Sequence, residues 1–504
     1  MMQAEPAPVG GHPRILIAGY FGFGNTGDEA ILAAELADLR ARRPDARFSV
    51  VCADVATVAR TYDVDAVHWR DLPAVVAAAR ESDLILLGGG GVFHEYWQNA
   101  PETMLTREAW DVPYYAGFPL LADLLGKPCM IYGVGAGPLL YDSGRELTRL
   151  AFSLAQRATL RDNESLALLK EIGAPAAALR VTADPAFTLP VDPSEGERLA
   201  ASLAIPPGAH LVTISLRPWD VGVDPAAWEG AVARALNRVA GEVPAFYAFI
   251  PFQEQEANAL TRDSAPIERV RAALDAPERS AVLPAGLPPA SIAALIGRSE
   301  LTLGMRLHAL VFAIQAAVPP VGLVYDPKVA HLMARVGLQE DAFELASLDG
   351  DRLAEALLRG LHADEASRAR LRAQAQELRS LAGQNADLAV GLLDVPLPQR
   401  SPAERWPREL ALQKVLQADE AQQNAGRLWQ QLLEMQDTLH DTRHKLEETE
   451  AKAALLWQQL LEMQSTLHTT QEKLELSRQE HERTASELSQ VRGELEAVYA
   501  SRSW

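Results

Sequence analysis

Three short apolar runs in the first part of the chain, RILIAGY (14–20), DLILLGGGG (83–91) and CMIYGVGAGP (129–138), each lead into glycine. That recurrence constrains the fold more than any other feature. Runs so short and so uniformly apolar suit strands buried on both faces, as in parallel sheets. RFSVVCAD (47–54) is a further strand, and helical patterns such as DEAILAAELADLRARR (28–43) lie between them. Strands that alternate with helices and carry glycine at their C-terminal ends predict a parallel sheet with its ligand crevice beyond those ends. RATLRDNESLALLKEIG (157–173) continues the alternation as far as VTADPAF (181–187). A second series follows, with HLVTISLRPW (210–219), PAFYAFIPF (244–252) and a long unit over 299–337. The expected architecture is α/β, with two doubly wound Rossmann-like domains, 14–190 and 195–390, facing one cleft. Residues 1–13 read as a disordered start, and the Pro-containing stretch 391–408 reads as a linker.

Residues 409–500 follow a different period. LWQQLLEMQDTLH from Leu428 returns as LWQQLLEMQSTLH from Leu456, 28 residues later, which is four heptads. Steps of four and three connect Leu428, Leu432, Met435 and Leu439, and the register continues through Leu456, Leu460, Leu474, Leu488 and Val498. Pairing of helices buries such a stripe, which predicts a long α-helical coiled coil of roughly 100 Å at about 1.5 Å per residue. Thr442, Thr449, Thr470, Ser477 and His481 interrupt the seam and leave the number of strands open. The segment is expected to make a homo-oligomer or to hold an assembly partner.

Composition removes several function classes. A formal net charge of −20 disfavours general affinity for nucleic acid or an anionic membrane, while leaving room for a local basic site. The two cysteines, Cys52 and Cys129, sit in apolar strands and can build neither a disulfide framework nor a zinc cluster. The opening MMQAEPAPVGGHPR has no apolar secretory core. The longest apolar stretch, 307–325, contains Gln315 and the pair Pro319 and Pro320, so it reads as a buried helix and strand and not as a membrane span. A cytoplasmic location is the expectation, with peripheral association at the inner membrane face left open.

Four motifs bear on chemistry. GFGNTGDEA (22–30) has G-x-G-x-x-G spacing at Gly22, Gly24 and Gly27. A dinucleotide site is disfavoured there, because the strand core ends near Ala18 and because Asp28 and Glu29 would face the pyrophosphate. A tight turn whose acidic residues cap the helix is the plain alternative. LLGGGGVFHEYW (86–97) exposes consecutive backbone amides suited to an anion or a sugar, followed by His94, Glu95 and Tyr96. YGVGAGPLLYDSGRELTR (132–149) sets Arg145 and Arg149 one helical turn apart, for phosphate or carboxylate or for surface ion pairs. GMRLHALVFAIQAAVPPVGLVYDPKV (304–329) places Arg306 and His308 at a helix start and Lys328 just past the next strand, and ISLRP adds Arg217 at another strand end. Three cations and an imidazole on one cleft wall suit a small, highly anionic substrate. Histidine moves protons near neutral pH, and Arg and Lys neutralise phosphate and carboxylate.

GYFGFGNTGDEAI, LLGGGG, YGVGAGP, LRDNES, TADPAF, ISLRPW, GMRLHAL and VGLVYDPKV follow one another over about 14–340. On this set the sequence resembles the polysaccharide pyruvyl transferase family; the coiled coil lies outside the resemblance. The resemblance implies a GT-B-like fold, phosphoenolpyruvate as co-substrate, and neither cofactor nor metal. It also implies a pyruvate ketal formed on a sugar of a cell-surface polysaccharide or its lipid-linked precursor, with release of phosphate. Position by position, His308 would be the essential histidine, with Arg306 and Lys328 as catalytic neighbours. Arg217, Arg306, Lys328 and Arg149, or its neighbour Arg145, would bind the donor. The first-domain loops, through Gly24, Asn25, Gly27, Asp28, Gly89, Gly90, His94 and Glu95, would bind the sugar acceptor, nucleotide- or lipid-linked. A nucleotide-sugar glycosyltransferase on the same architecture and a coiled-coil scaffold are the competing readings.

Overall fold

A computed structural model describes residues 12–95, 104, 111–255, 261–395, 401–448 and 453–500. The first sheet contains β1 (Arg14–Ala18), β2 (Arg47–Cys52), β3 (Asp65–His68), β4 (Leu84–Leu87), β5 (Gly90–Phe93), β6 (Cys129–Ala136), β7 (Arg157–Leu160) and β8 (Leu179–Val181). Its order is β3-β2-β1-β4-β6-β7-β8, with β5 also on β6, and every pairing is parallel. The second sheet contains β9 (His210–Ser215), β10 (Ala245–Phe249), β11 (Ser280–Val282), β12 (Leu301–Gly304), β13 (Pro320–Val324) and β14 (Ala342–Glu344). Its order, β11-β10-β9-β12-β13-β14, is again parallel throughout and is the doubly wound pattern. Apolar strands covered by helices on both faces produce this result, as the uniform burial of β4, β10 and β13 shows.

The two sheets and their helices form one compact unit. One apolar core runs from Ile15, Ile31 and Leu86 in the first half to Leu310 and Phe312 in the second, and another, with Ile214, Trp228 and Leu303, lies on the second sheet. The halves also meet through backbone. The amide of Thr26, at the start of α1 (Thr26–Arg42), donates to the carbonyl of Phe252 at 2.8 Å, and Gln255 Nε2 donates to the carbonyl of Phe23.

The expected bounds differ from the structure at the end of the second domain and in the linker. The last helix assigned to the second domain, Glu365–Leu393, packs on the first. Its buried stripe, including Leu378, Ala382, Ala386 and Ala389, joins the core beneath the first sheet. Asn385 accepts from Thr182 Oγ1 at 2.7 Å and donates to the carbonyl of Ala183 at 3.1 Å.

The linker is also shorter than 391–408, since a helix restarts at Pro402. Proline there occupies a first-turn position that tolerates it, and Glu404 accepts from both the amide (2.9 Å) and hydroxyl (3.1 Å) of Ser401. The expected single helix of roughly 100 Å is instead two helices, Pro402–Glu448 and Ala453–Ala500. They lie antiparallel. Ser477 Oγ donates to the carbonyl of Ala421 at 3.3 Å, His481 Nδ1 is 3.2 Å from that of Ala418, and Lys414 pairs with Glu487. Because the apolar stripe recurs in both helices, the chain buries Leu432 and Leu474 within this second unit. Residues 1–11 and the seam side chains between Leu439 and Leu460 lie outside the described residues. Among the described residues, no helix is long and apolar enough to cross a membrane.

Candidate active site

His308 is in the first turn of a helix, Leu307–Gln315, that begins three residues after β12. The ring is 11% exposed and is held by the first half of the molecule. On one side it lies against the backbone of Gly27, so close that a β-carbon there would come within 2.1 Å of Nδ1. On the other, Nε2 is 3.5 Å from Oδ1 of Asp184. Asp184 is buried beyond the end of β8; it accepts from the amide of Ala186 at 3.1 Å and pairs with Arg161 Nη1 at 3.3 Å. Burial alone would raise the Asp184 pKa, but His308, Arg161 and the Ala186 amide outweigh it and hold the group at about 2. The imidazole therefore lies beside an ionised carboxylate, within ion-pair distance but without a hydrogen bond at Nε2 among the described residues.

Two cations converge on one aromatic ring nearby. Lys328 is in the first turn of the helix Pro327–Arg335, and Asp326 caps that turn by accepting from the Lys328 amide (3.0 Å) and from Nζ (3.1 Å). The Lys328 ammonium is 5.2 Å from the centroid of Tyr325, and the Arg217 guanidinium is 4.8 Å from the same ring and 5.2 Å from that of Trp219. Burial would raise the Tyr325 pKa, yet Lys328, Arg217 and Arg306 draw it below its ordinary value. The phenol thus reports a positive potential suited to an anion. Burial would lower the Lys328 pKa, but Tyr325 and Asp326 reverse that and raise it, so the ammonium stays charged.

Arg161 joins this group through a small cavity of about 20 Å³ that it lines with Asp184, Lys328, His331 and Arg335. Arg335 crosses between the halves to donate to the carbonyls of Arg161 and Thr182. Neither Arg161 nor Asp184 was singled out from the sequence. Both follow strand ends, in LRDNES and TADPAF, so the rule that drew attention to Arg217 would have found them.

The remaining sequence candidates divide. Asp28, in the first turn of α1, would touch a β-carbon at Gly90 at 2.8 Å, so the first glycine loop and the second meet there. Burial raises the Asp28 pKa to about 6, against the opposing pull of His308, Lys328 and Arg161. His94 is exposed, with Nδ1 against the carbonyl of Gly91, and desolvation, followed by Lys328, lowers its pKa to about 4. Gly24 is exposed with a φ of 69°. Asn25 accepts from the amide of Gly27 at 3.0 Å and caps α1. Gly89 is packed against Ile31 and Pro185, away from solvent.

Three assignments need correction. Arg306 is not available to grip a donor through its fork: Nε and Nη2 engage Asp263 at 3.0 and 2.6 Å, with 8% and 0% of the two side chains exposed. Asp263 also accepts from the amides of Phe252 and Gln253, so the pair fixes the loop after β10 that meets Thr26. Glu95 is turned inward: it is 2% exposed, accepts from the amide of Tyr141 at 3.2 Å and lies against Gly144. Arg149 is exposed on the helix Asp142–Leu154, and Arg145 on the same helix pairs with Glu171; both belong to the surface by helical geometry. Tyr96 lies outside the described residues. Among the described residues, no group of three or more His, Cys, Asp or Glu side chains is placed to hold a metal ion.

Two parallel doubly wound sheets and a helix that crosses back to the first of them, with a basic, histidine-bearing crevice at the strand ends, define a GT-B-like fold. Solved structures share it. A glycosyltransferase from Rickettsia africae matches with a TM-score of 0.51 at 9% identity, covering 76% of this chain and 99% of that one. The S. aureus MnaA–UDP co-structure matches with a TM-score of 0.50 at 12% identity, covering 74% and 94%. Anabaena HepE in complex with UDP-glucose is also similar, with a TM-score of 0.48 at 15% identity, covering 76% and 97%. The polysaccharide pyruvyl transferase family model matches residues 25–327, more than half of the chain. The chain belongs to the polysaccharide pyruvyl transferase family.

Proposed function

We propose that the protein forms a pyruvate ketal on a sugar of a cell-surface polysaccharide or its precursor, with phosphoenolpyruvate as donor. One observation carries the reading: Arg217 and Lys328 converge on Tyr325 in a positive crevice whose neighbouring imidazole lies beside the Asp184 carboxylate. A three-carbon acid bearing both phosphate and carboxylate needs two cationic contacts and a proton carrier, and these are the groups at hand.

The step balances without an oxidant, a metal or a resident cofactor. One sugar hydroxyl adds to C2 of the enolpyruvyl group while C3 takes a proton. The C2–O bond to phosphate then breaks, phosphate leaves with the electron pair, and the second hydroxyl adds to C2. Of the two hydroxyl protons, one ends on C3 and the other departs with phosphate. His308 carries the proton, while Arg217 and Lys328 hold the donor and offset charge on the leaving phosphate. In this reading the enzyme works in the cytoplasm or at the inner membrane face, on an acceptor carried by a nucleotide or a lipid. The helical tail adds self-association or an assembly partner.

The test is incubation with labelled phosphoenolpyruvate and a panel of saccharide acceptors, read as phosphate release and label in a ketal. Phosphoenolpyruvate should raise the melting temperature, and Arg217→Met or Lys328→Met should abolish the shift and lower kcat/KM by ~10²-fold or more. Stabilisation by UDP-glucose and none by phosphoenolpyruvate would replace this reading with nucleotide-sugar glycosyl transfer.

A further inference from the structure

An open hollow of about 490 Å³ lies at the C-terminal ends of β1, β2 and β3, lined by Gly22, Phe23, Asp54, His68 and Gln255 among others. None of its polar groups has a part in the chemistry above. Phe23 is held rigidly. Tyr20 stacks on it with centroids 4.3 Å apart and 5° between planes, and Trp69 abuts it at 5.9 Å, itself braced edge-on by Tyr114 at 5.7 Å. Gln255 Nε2 pins the Phe23 carbonyl.

Around this ring the groups suit hydroxyls. Asp54 is exposed and commits Oδ1 to the amide of Thr57 at 2.9 Å. Backbone and side-chain hydrogen bonding with Thr57 lowers its pKa, so it accepts as a carboxylate. His68 accepts at Nδ1 from the amide of Arg70 at 3.2 Å, which puts the proton of the neutral ring on Nε2, a donor. A braced aromatic face beside an ionised acceptor and a neutral donor matches a sugar ring, which has an apolar face and a rim of hydroxyls. A carboxylate in the lining opposes a nucleotide's phosphates.

Phe23 and Gly27, whose backbone touches His308, are four residues apart, so at most about 14 Å of chain separates them. A saccharide of more than one ring could extend from the histidine to the hollow.

We propose that this hollow is an accessory subsite for a neutral sugar ring of an oligosaccharide acceptor, stacked on Phe23 and hydrogen-bonded by Asp54 and His68. It rests on the pyruvyl-transfer reading for the identity of the reacting sugar. The consequence is that the enzyme favours acceptors longer than a monosaccharide.

The test is saturation-transfer NMR on the full chain with neutral di- to tetrasaccharides of glucose, galactose, mannose and N-acetylglucosamine, each beside its monosaccharide. Phosphoenolpyruvate binding is followed in parallel by melting shift. At least one oligosaccharide should bind more tightly than its monosaccharide. Phe23→Ala and Asp54→Asn should weaken it by about tenfold or more, the size of a lost stacking or charged hydrogen-bond contact, while Phe23→Trp retains it. The phosphoenolpyruvate shift should be the same in all three variants. Equal binding by wild type and Phe23→Ala, or no saccharide binding to wild type at millimolar concentration, overturns the subsite. So does loss of UDP binding, rather than saccharide binding, in Phe23→Ala. Saccharide binding with no phosphoenolpyruvate shift keeps the subsite and removes the donor assignment instead.

Discussion

His308 and Gly27 come from opposite halves of the molecule, and the imidazole occupies the space that any side chain at position 27 would need. The glycine is therefore part of the histidine's seat. Gly27→Ala should push the ring out of line with Asp184 and lower kcat by ~10²-fold, the usual cost of misplacing a catalytic group by about 1 Å. Circular dichroism and a retained cooperative melt would show that the fold survived. Near-normal phosphate release from this variant would remove His308 from the chemistry.

Asp184→Asn keeps the shape of the carboxylate and removes its charge. It should reduce kcat by ~10²-fold with little change in KM for the donor, since Asp184 acts through His308 and Arg161. The pH dependence of stability should change with it. The Asp184 pKa in the folded state is depressed to about 2, so its contribution is present above the ordinary carboxylate range and is lost as pH falls through that range toward 2. Acid unfolding of Asp184→Asn should be correspondingly shallower below about pH 4.

Arg161 and Arg149 should behave oppositely. Arg161→Met leaves the buried Asp184 short of a cation and should cost ~10²-fold or more in activity, together with a lower melting temperature. Arg149→Met changes an exposed side chain, and its activity and melting temperature should stay within about twofold and about 2 °C of the parent. Parallel kinetics of the two variants decide the matter.

Much of this was legible beforehand. Uniformly apolar strands ending in glycine can be satisfied only by a parallel sheet covered on both faces, which is why β1, β4 and β6 emerged from sequence alone. The nearness of His308, Lys328 and Arg217 to strand ends is legible in the sequence, since each follows an apolar run by a few residues. What stayed hidden depended on partners far along the chain. Arg306 looks like a free cation until Asp263, 43 residues earlier, closes on its fork. Glu95 looks like a cleft residue until Gly144 supplies the space that draws it inward. The helical tail has a stripe that fits a partner from another chain or from itself, and the periodicity is identical in both cases.

Stability should fall as Glu29 ionises. Burial raises its pKa to about 7, against the amide of Gly22 and the hydroxyl of Tyr62, both of which bond to its carboxyl. A folded-state value above the ordinary one gives stability that is complete below about pH 4.5 and is lost as pH rises through 7. The melting temperature should therefore decline between pH 5 and 8, and Glu29→Gln should flatten that decline. An unchanged slope in the variant would show that Glu29 is ionised throughout.

Glu35 is a second buried acid, on α1, with neither carboxyl oxygen bonded among the described residues. Burial, reinforced by Asp38, raises its pKa well above the ordinary value, so it is carried in the core as a neutral acid. Glu35→Met has similar volume and removes the stranded polar atoms. It should stabilise the protein by about 1–3 kcal/mol, read as a higher denaturant midpoint.

The crossing of Glu365–Leu393 onto the first sheet has a consequence for biosynthesis. A ribosome that has released the charged residues of the crevice, through Arg335, has still not delivered the helix that seals the face of the earlier half. Until Asn385 reaches Thr182, that face keeps its apolar surface in water and cannot finish folding on its own. The nascent chain is thus obliged to wait for the helix that ends its second half, and the crevice matures late in synthesis, when both halves are already made.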